Sequence, residues 1–169
     1  MKENDIAILI LKDPVDEEKC VKFATMARLG ETFRGKCIAA GWGKLAFQGN
    51  SPNELYKVGL PYISPEDCRK RSRMGIAEGV LCAGDFGDSG GPLYCPNSSG
   101  KMVLAGVTSF GHKCNGEVSA FTDVRYFQKW ITRNCKNVFD AKPCDKREIC
   151  GPDAHTCKYE LLSAEIIEL

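Results

Sequence analysis

Residues 87–93 read Gly87-Asp88-Ser89-Gly90-Gly91-Pro92-Leu93, with one serine among three glycines. A Cys-Ala-Gly precedes the stretch, and a strand-like Leu-Tyr-Cys ends it. A serine hydroxyl is a poor nucleophile near neutral pH, so serine chemistry needs a base beside it and N–H donors for the oxyanion that its attack creates. Glycines let the backbone supply such donors. The stretch therefore indicates a loop that presents a reactive serine.

Two families of hydrolases carry a serine in this setting. The G-x-S-x-G elbow of α/β-hydrolases must open a helix, and Pro92-Leu93-Tyr94-Cys95 does not read as one. Residues 87–93 instead resemble the nucleophile loop of the chymotrypsin/trypsin family of serine proteases. Further matches to that family follow in its chain order: Asn4-Asp5-Ile6-Ala7-Ile8-Leu9, Cys37-Ile38-Ala39-Ala40-Gly41-Trp42-Gly43, Val107-Thr108-Ser109-Phe110-Gly111, Phe121-Thr122-Asp123-Val124 and Trp130-Ile131.

The resemblance implies a role for each matching position. Ser89 is the expected nucleophile, and the amides of Gly87 and Ser89 are the expected oxyanion hole. Asp5 is the expected triad aspartate, although an Asn-Asp pair before an apolar run could also simply start a strand or cap a turn. Residues 109–111 (Ser109, Phe110 and Gly111) are expected to pair with the backbone of a substrate.

Two groups that the family uses, the histidine base and the freed amino terminus, are not found where the resemblance places them. The family's order is histidine, aspartate, serine, but His112 and His155 both follow Ser89. His112 is expected to be a loop residue, and His155 a surface residue. In the family, Asp88 pairs with an amino terminus freed by cleavage. We therefore expect the chain to be incomplete at its amino end, to lack the histidine base and to be inactive alone.

The segment before the serine is shorter than the family pattern. Only Asp85 and Phe86 separate Gly84 from Gly87, where the family has an insert that carries the base of the specificity pocket. Ser119 stands where many relatives have a glycine in the pocket wall. The sequence therefore predicts no side-chain preference for a substrate.

Cysteine content indicates an oxidising compartment. The chain has 10 cysteines in 169 residues, which is typical of secreted, disulfide-bonded proteins. The resemblance implies the pairs Cys37–Cys95 and Cys68–Cys82. The remaining six allow 15 connectivities: Cys20, Cys114, Cys135, Cys144, Cys150 and Cys157. A zinc cluster among the last four is a weaker alternative because they form no C-x-x-C pair, so no metal is expected.

Hydropathy and charge limit the kinds of molecule that the chain is expected to bind. Residues 1–25 contain no signal peptide, and no apolar run is long enough to span a membrane. Lys+Arg 23 against Asp+Glu 22 gives a net charge of +1, which does not suggest nucleic-acid binding. The basic run 69–73 reads as a solvated helix face, with a polyanion or substrate exosite as the alternative. Asn97-Ser98-Ser99 is a candidate N-glycosylation site in a polar turn.

The spacing of strand-like segments predicts an all-β, antiparallel protein. These segments are Ile6–Leu11, Lys36–Trp42, Tyr56–Ile63, Val80–Ala83, Pro92–Tyr94, Met102–Phe110 and Ser119–Val124, with helices at Pro65–Arg73 and Val124–Asn134. By resemblance, residues 1–135 form a partial trypsin-like domain: an incomplete double barrel in which 1–20 are the remnant of the first barrel and 37–135 the second. Residues 136–169 form a cysteine-rich extension.

Two functions are consistent with these patterns. The first is a secreted serine endopeptidase that hydrolyses proteins or peptides through an acyl-enzyme without a cofactor. The second is a non-catalytic serine-protease homologue that acts as a binding or regulatory module. The missing base and the short pocket segment favour the second function, whereas the presence of both Ser89 and Asp5 favours the first.

Overall fold

The described part of the chain forms a six-stranded antiparallel barrel and two helices. The computed structural model describes residues 4–11, 15–18, 20–44, 49–72, 76–84, 91–111 and 118–140. In chain order the elements are β1 (Lys36–Gly41), β2 (Tyr56–Ile63), α1 (Pro65–Arg71), β3 (Val80–Ala83), β4 (Pro92–Pro96), β5 (Met102–Gly111), β6 (Ser119–Asp123) and α2 (Val124–Asp140). The strands close in the order β1-β2-β3-β6-β5-β4. The predicted antiparallel barrel and carboxy-terminal helix are confirmed.

Alternation of side chains explains why these segments are strands. In β4, Leu93 and Cys95 are fully buried while their neighbours are partly exposed, as expected for a strand with one face toward a core. The same alternation buries Cys37 and Ala39 in β1. These side chains meet Phe121 of β6 inside the barrel. The barrel interior is therefore a packed apolar core.

Among the described residues, one disulfide joins two neighbouring barrel strands and another joins α1 to the barrel. Cys37 of β1 is bonded to Cys95 of β4, and Cys68 of α1 is bonded to Cys82 of β3. These are the two pairs that the resemblance implies. Cys20 is exposed and free. The cysteine-rich tail and Cys114 lie outside the described residues.

The helices begin and end for local reasons. Ser64 caps α1, because its hydroxyl accepts a hydrogen bond from the amide of Asp67 at 3.1 Å. The described helix ends at Arg71, two residues before the predicted end. Helix α2 continues to Asp140 instead of ending near Asn134, so the predicted domain boundary at 135/136 lies within this helix.

One predicted strand is wrong. Residues 6–11 belong to no strand, although their composition is that of one. Ile6 and Ile8 pack against a cluster that includes Val124, Phe127 and Ile131 at the start of α2. Within the described residues no neighbouring strand pairs with residues 6–11, so strand propensity alone does not make a ladder. The division into a remnant, a barrel and a tail stays a prediction.

Candidate active site

A bulge in β5 aims one hydroxyl at Asp5. The ladder between β5 and β6 pairs Thr108 with Phe121 and Phe110 with Ala120, so the register skips Ser109. Bulges of this kind redirect a side chain and are frequent beside active sites. Ser109 is buried, and its hydroxyl donates a short hydrogen bond to Oδ2 of Asp5. The structure thus joins two of the residues that the sequence predicted for the site.

A second hydroxyl holds the backbone of the same aspartate. Thr122 of β6 is buried, and its Oγ1 donates to the carbonyl oxygen of Asp5 at 2.6 Å. Ile6 and Ile8, which follow Asp5 along the chain, add apolar packing. Asp5 is therefore fixed at its carboxylate and at its carbonyl, although it lies in no strand.

Gly91, which follows the predicted nucleophile loop and precedes β4, is bonded to β5. Gly91 is buried, and its carbonyl accepts a hydrogen bond from the amide of Thr108 at 2.9 Å and another from the Thr108 hydroxyl at 3.0 Å. Ser109, which binds Asp5, is the next residue along β5. One strand thus contacts both the predicted triad aspartate and the end of the predicted nucleophile loop.

The predicted substrate strand extends beyond β4. Pairing between β4 and β5 reaches Pro92 and Val107, whereas β5 continues to Gly111. On the other side, Phe110 and Gly111 pair with Ala120 and Ser119 of β6. Within the part of the chain that the structure describes, no strand pairs with residues 109–111 on the β4 side. An extended peptide could add to such an edge.

The residues that the sequence predicts to react are not among those described. Gly87, Asp88 and Ser89 lie outside the described residues, as do His112 and His155. Their predicted roles are therefore untested. Within the described ranges, no group of three or more His, Cys, Asp or Glu side chains could hold a metal ion, and no described helix is long and apolar enough to cross a membrane.

An arginine network that the sequence did not indicate joins the start of α2 to Asp123, Glu31 and Phe33. Arg125 at the start of α2 contacts both carboxylate oxygens of Asp123, with Nη2 2.6 Å from Oδ2, and its Nη1 donates to the carbonyl of Glu31. Its guanidinium lies 4.3 Å from the ring centre of Phe33. Burial lowers the pKa of Arg125, but the contacts with Asp123 and Tyr62 more than offset this and raise it above its ordinary value.

The candidate glycosylation site belongs to the same network. Asn97 Nδ2 donates to Oε1 of Glu31 at 2.9 Å, and Asn97 Oδ1 accepts hydrogen bonds from Ser99 and Lys101. The Asn97 side chain therefore holds its own turn and the loop that contains Glu31. Glycosylation of Asn97 stays a prediction.

Comparison with known proteins decides the family. A family model described as trypsin matches residues 1–131. The chain belongs to the trypsin family. Its trypsin-like relatives include Transmembrane protease serine 11C of Mus musculus, 34% identical over 144 residues, which cover 77% of this chain and 33% of that protein.

Two further relatives differ in their described activity. Trypsin-1 of Astacus astacus is 34% identical over 143 residues, which cover 78% of this chain and 60% of that protein. Inactive CLIP domain-containing serine protease A8 of Anopheles gambiae is 34% identical over 152 residues, which cover 80% of this chain and 42% of that protein. The matches cover between a third and three fifths of the length of these three relatives.

The sequence did not indicate the roles of Thr108 and Thr122, because both roles depend on tertiary contacts. The sequence motifs contain Thr108 and Thr122, but nothing in their spacing indicates a role for either hydroxyl. Their partners, Gly91 and Asp5, are 17 and 117 positions away along the chain. A threonine in a strand next to a motif residue is common, so no local signal distinguishes these two.

Proposed function

We propose that residues 1–169 carry the nucleophile and the orienting carboxylate of a serine-type endopeptidase. The observation that carries the proposal is the hydrogen bond from Ser109 to the Asp5 carboxylate. An orienting aspartate must be fixed in order to hold an imidazole in one tautomer and to stabilise the imidazolium. Asp5 is held at two points, which suits that role.

In this mechanism the hydroxyl oxygen of Ser89 attacks a peptide carbonyl, and an imidazole accepts its proton. The amides of Gly87 and Ser89 stabilise the oxyanion. The imidazolium then protonates the leaving amine, and water hydrolyses the acyl-enzyme that is left. The substrate is a protein or peptide whose backbone pairs with residues 109–111, and no cofactor takes part.

The proposal requires an imidazole beside Asp5, and the described residues place none there. Both histidines follow Ser89 in the sequence, and none of the described residues is a histidine. Loss of the histidine from a serine-protease triad costs about 10⁶-fold in kcat. We therefore propose that these residues are inactive by themselves toward peptides.

Phosphonylation with added imidazole tests the proposal. A fluorophosphonate forms a bond between phosphorus and the Ser89 oxygen with loss of fluoride, and mass spectrometry locates the label. We expect imidazole to accelerate labelling of Ser89 by about tenfold or more, less than the 10² to 10⁴ typical of a positioned base because free imidazole must diffuse into place.

Matched variants separate the roles. Ser89→Ala abolishes the label, and Asp5→Asn removes the acceleration by imidazole. Asp16→Asn, at an exposed carboxylate, leaves the acceleration unchanged. Labelling spread over several serines, or an acceleration that Asp5→Asn does not alter, contradicts the proposal.

A second function is favoured by one of the relatives. The Anopheles gambiae protein is named an inactive serine protease and matches 80% of this chain. The alternative is therefore a non-catalytic homologue that uses the barrel as a binding or regulatory module. Absence of Ser89 labelling in folded protein, with and without imidazole, supports this alternative.

We also propose a secreted, extracellular location. Two disulfides in the barrel are more compatible with an oxidising compartment than with the cytosol. Free-thiol titration of protein purified from its natural source, before and after unfolding, tests this. Reactive thiols at Cys37 and Cys95 in the native protein contradict it.

A further inference from the structure

Thr122 holds the backbone of Asp5 at a point where no strand ladder holds it. Residues 4–11 belong to no strand, and the Oγ1 of Thr122 donates to the carbonyl oxygen of Asp5 at 2.6 Å. Among the described residues, this is the one hydrogen bond that the Asp5 carbonyl accepts. Thr122 is only 4% exposed, so its hydroxyl does not exchange this partner for bulk water. The hydroxyl thus takes the place that a ladder amide has in a sheet.

The sheet holds this hydroxyl in place. Thr122 lies in β6 between two antiparallel neighbours, opposite Val80 of β3 and Val107 of β5. A β-branched side chain is restricted at χ1, so a fixed backbone also restricts the direction of the hydroxyl. Thr122 is therefore a rigid donor, and the Asp5 carbonyl takes its position from the barrel.

The other hydroxyl acts at the opposite end of the same residue. Ser109 donates to Oδ2 of the Asp5 carboxylate from the bulge in β5. One bond at the carboxylate leaves Asp5 free to pivot about that oxygen, because both χ1 and χ2 of an aspartate can change. A second bond at the carbonyl removes that freedom. The two hydroxyls are therefore not interchangeable: Ser109 holds the carboxylate, and Thr122 holds the backbone from which the carboxylate extends.

We propose that Thr122 is a positioning residue, which fixes the backbone of Asp5 so that its carboxylate keeps one direction toward an imidazole. The proposal rests on the proposed endopeptidase function, since an aspartate that holds an imidazole in one tautomer and orientation needs a fixed direction. It requires no contact of Thr122 with the substrate or with the base.

Three substitutions separate the hydroxyl from the rest of the side chain. Thr122→Val keeps the branched shape and removes the hydroxyl, and Thr122→Ala gives a second side chain without a hydroxyl. Thr122→Ser keeps the hydroxyl and removes a methyl group. Thr25→Val is the matched control, because Thr25 is exposed and its carbonyl, not its side chain, bonds to Leu104.

Two measurements are made on the full chain. The ¹³C signal of the Asp5 carbonyl carbon reports on its hydrogen bond, and fluorophosphonate labelling of Ser89 with and without imidazole reports on the carboxylate. In Thr122→Val and Thr122→Ala we expect the carbonyl signal to move and the acceleration by imidazole to fall about 2- to 10-fold, the factor expected for one hydrogen bond. Labelling without imidazole does not use the carboxylate and stays at the parent rate. Thr122→Ser and Thr25→Val stay close to the parent in both measurements.

The outcomes separate this proposal from the function on which it rests. An unchanged carbonyl signal in Thr122→Val and Thr122→Ala, or an equal change in Thr122→Ser, overturns the anchoring role of the hydroxyl. A moved signal with unchanged acceleration overturns the positioning role, and so does labelling that slows equally with and without imidazole. If the parent is not labelled at all, the endopeptidase proposal fails, while the carbonyl signal still decides whether the Thr122 hydroxyl anchors Asp5.

Discussion

The barrel and the segment of residues 4–11 are held to the molecule in different ways. Each barrel strand has a neighbour on both sides and presents alternate side chains to a closed core. The segment is apolar too, but it is attached by hydrogen bonds to Asp5 and by the packing of Ile6 and Ile8. Leu9, Ile10 and Leu11 are exposed. Apolar sequence becomes a strand only where a ladder partner is present.

The largest difference is expected between two leucines, one from each region. Leu93 is 0% exposed in the barrel core, whereas Leu9 is 58% exposed. Leu93→Ala leaves a cavity and is expected to lower the free energy of unfolding by about 2 to 5 kcal/mol. Leu9→Ala is expected to change it by no more than about 0.5 kcal/mol. Urea unfolding measures both, and a similar cost for the two variants contradicts the contrast.

The next largest effect is expected at Arg125, at the start of α2. Arg125→Met keeps apolar contact with Phe33 and the backbone hydrogen bond to Asp123, but it removes the guanidinium from the mostly buried Asp123 carboxylate. The expected loss is about 1.5 to 3 kcal/mol in the free energy of unfolding. Lys70→Met is the control, because the pair of Lys70 and Glu66 is exposed and contributes about 0.5 kcal/mol or less. Equal losses in the two variants contradict a larger contribution from the Arg125–Asp123 pair than from the exposed pair.

A smaller effect is expected where the segment meets the barrel. The double variant Ser109→Ala, Thr122→Val removes both hydroxyls that hold Asp5. Each lost hydrogen bond is expected to cost about 0.5 to 1.5 kcal/mol of the segment's docking free energy. Thermolysin should then cleave faster before Ile6 and Ile8 but not within β1–β6. Cleavage before Ile6 and Ile8 at the parent rate shows that apolar packing alone holds the segment.

The smallest effect concerns alkaline pH. Burial raises the pKa of the half-buried Tyr94 on β4. The unfolded chain therefore loses this proton at a lower pH than the folded chain, so stability is fully present below about pH 10 and falls as the pH rises through the folded pKa. Tyr94→Phe should remove this part of the pH dependence. Parallel curves of unfolding free energy against pH for the two proteins contradict the prediction.

The sequence predicted the barrel strands well because strand-like segments between turn signals are a local feature, while the barrel itself was implied by the resemblance. The burial alternation within β1 is not visible as alternating residue types, because Cys37, Ile38 and Ala39 are all apolar. The Ser64 cap is local as well, and it precedes a helix of seven residues. The same local signals fail for residues 6–11, since a strand depends on what lies beside it. The predicted end of α2 near Asn134 is also too early. No glycine or proline follows Asn134 before Asp140, and the helix continues to Asp140.

The candidate site was predicted only in part. The resemblance singled out Asp5 and Ser109 individually, but their contact depends on a bulge that no sequence pattern marks. Arg125 was not singled out, because two of its three partners, the carbonyl of Glu31 and the ring of Phe33, lie more than 90 positions away. Long-range contacts of this kind follow from the closed barrel and not from spacing along the chain.

Closure of the barrel separates folding from the predicted active-site residues. The ladder returns from β4 to β1, and the Cys37–Cys95 bond joins the same two strands, so the described barrel core forms without Asp5. Substitution of Asp5 is therefore expected to leave the barrel core packed, and a lineage with this fold can lose activity while it keeps the barrel. A family built on such a barrel can hold peptidases and inactive descendants side by side.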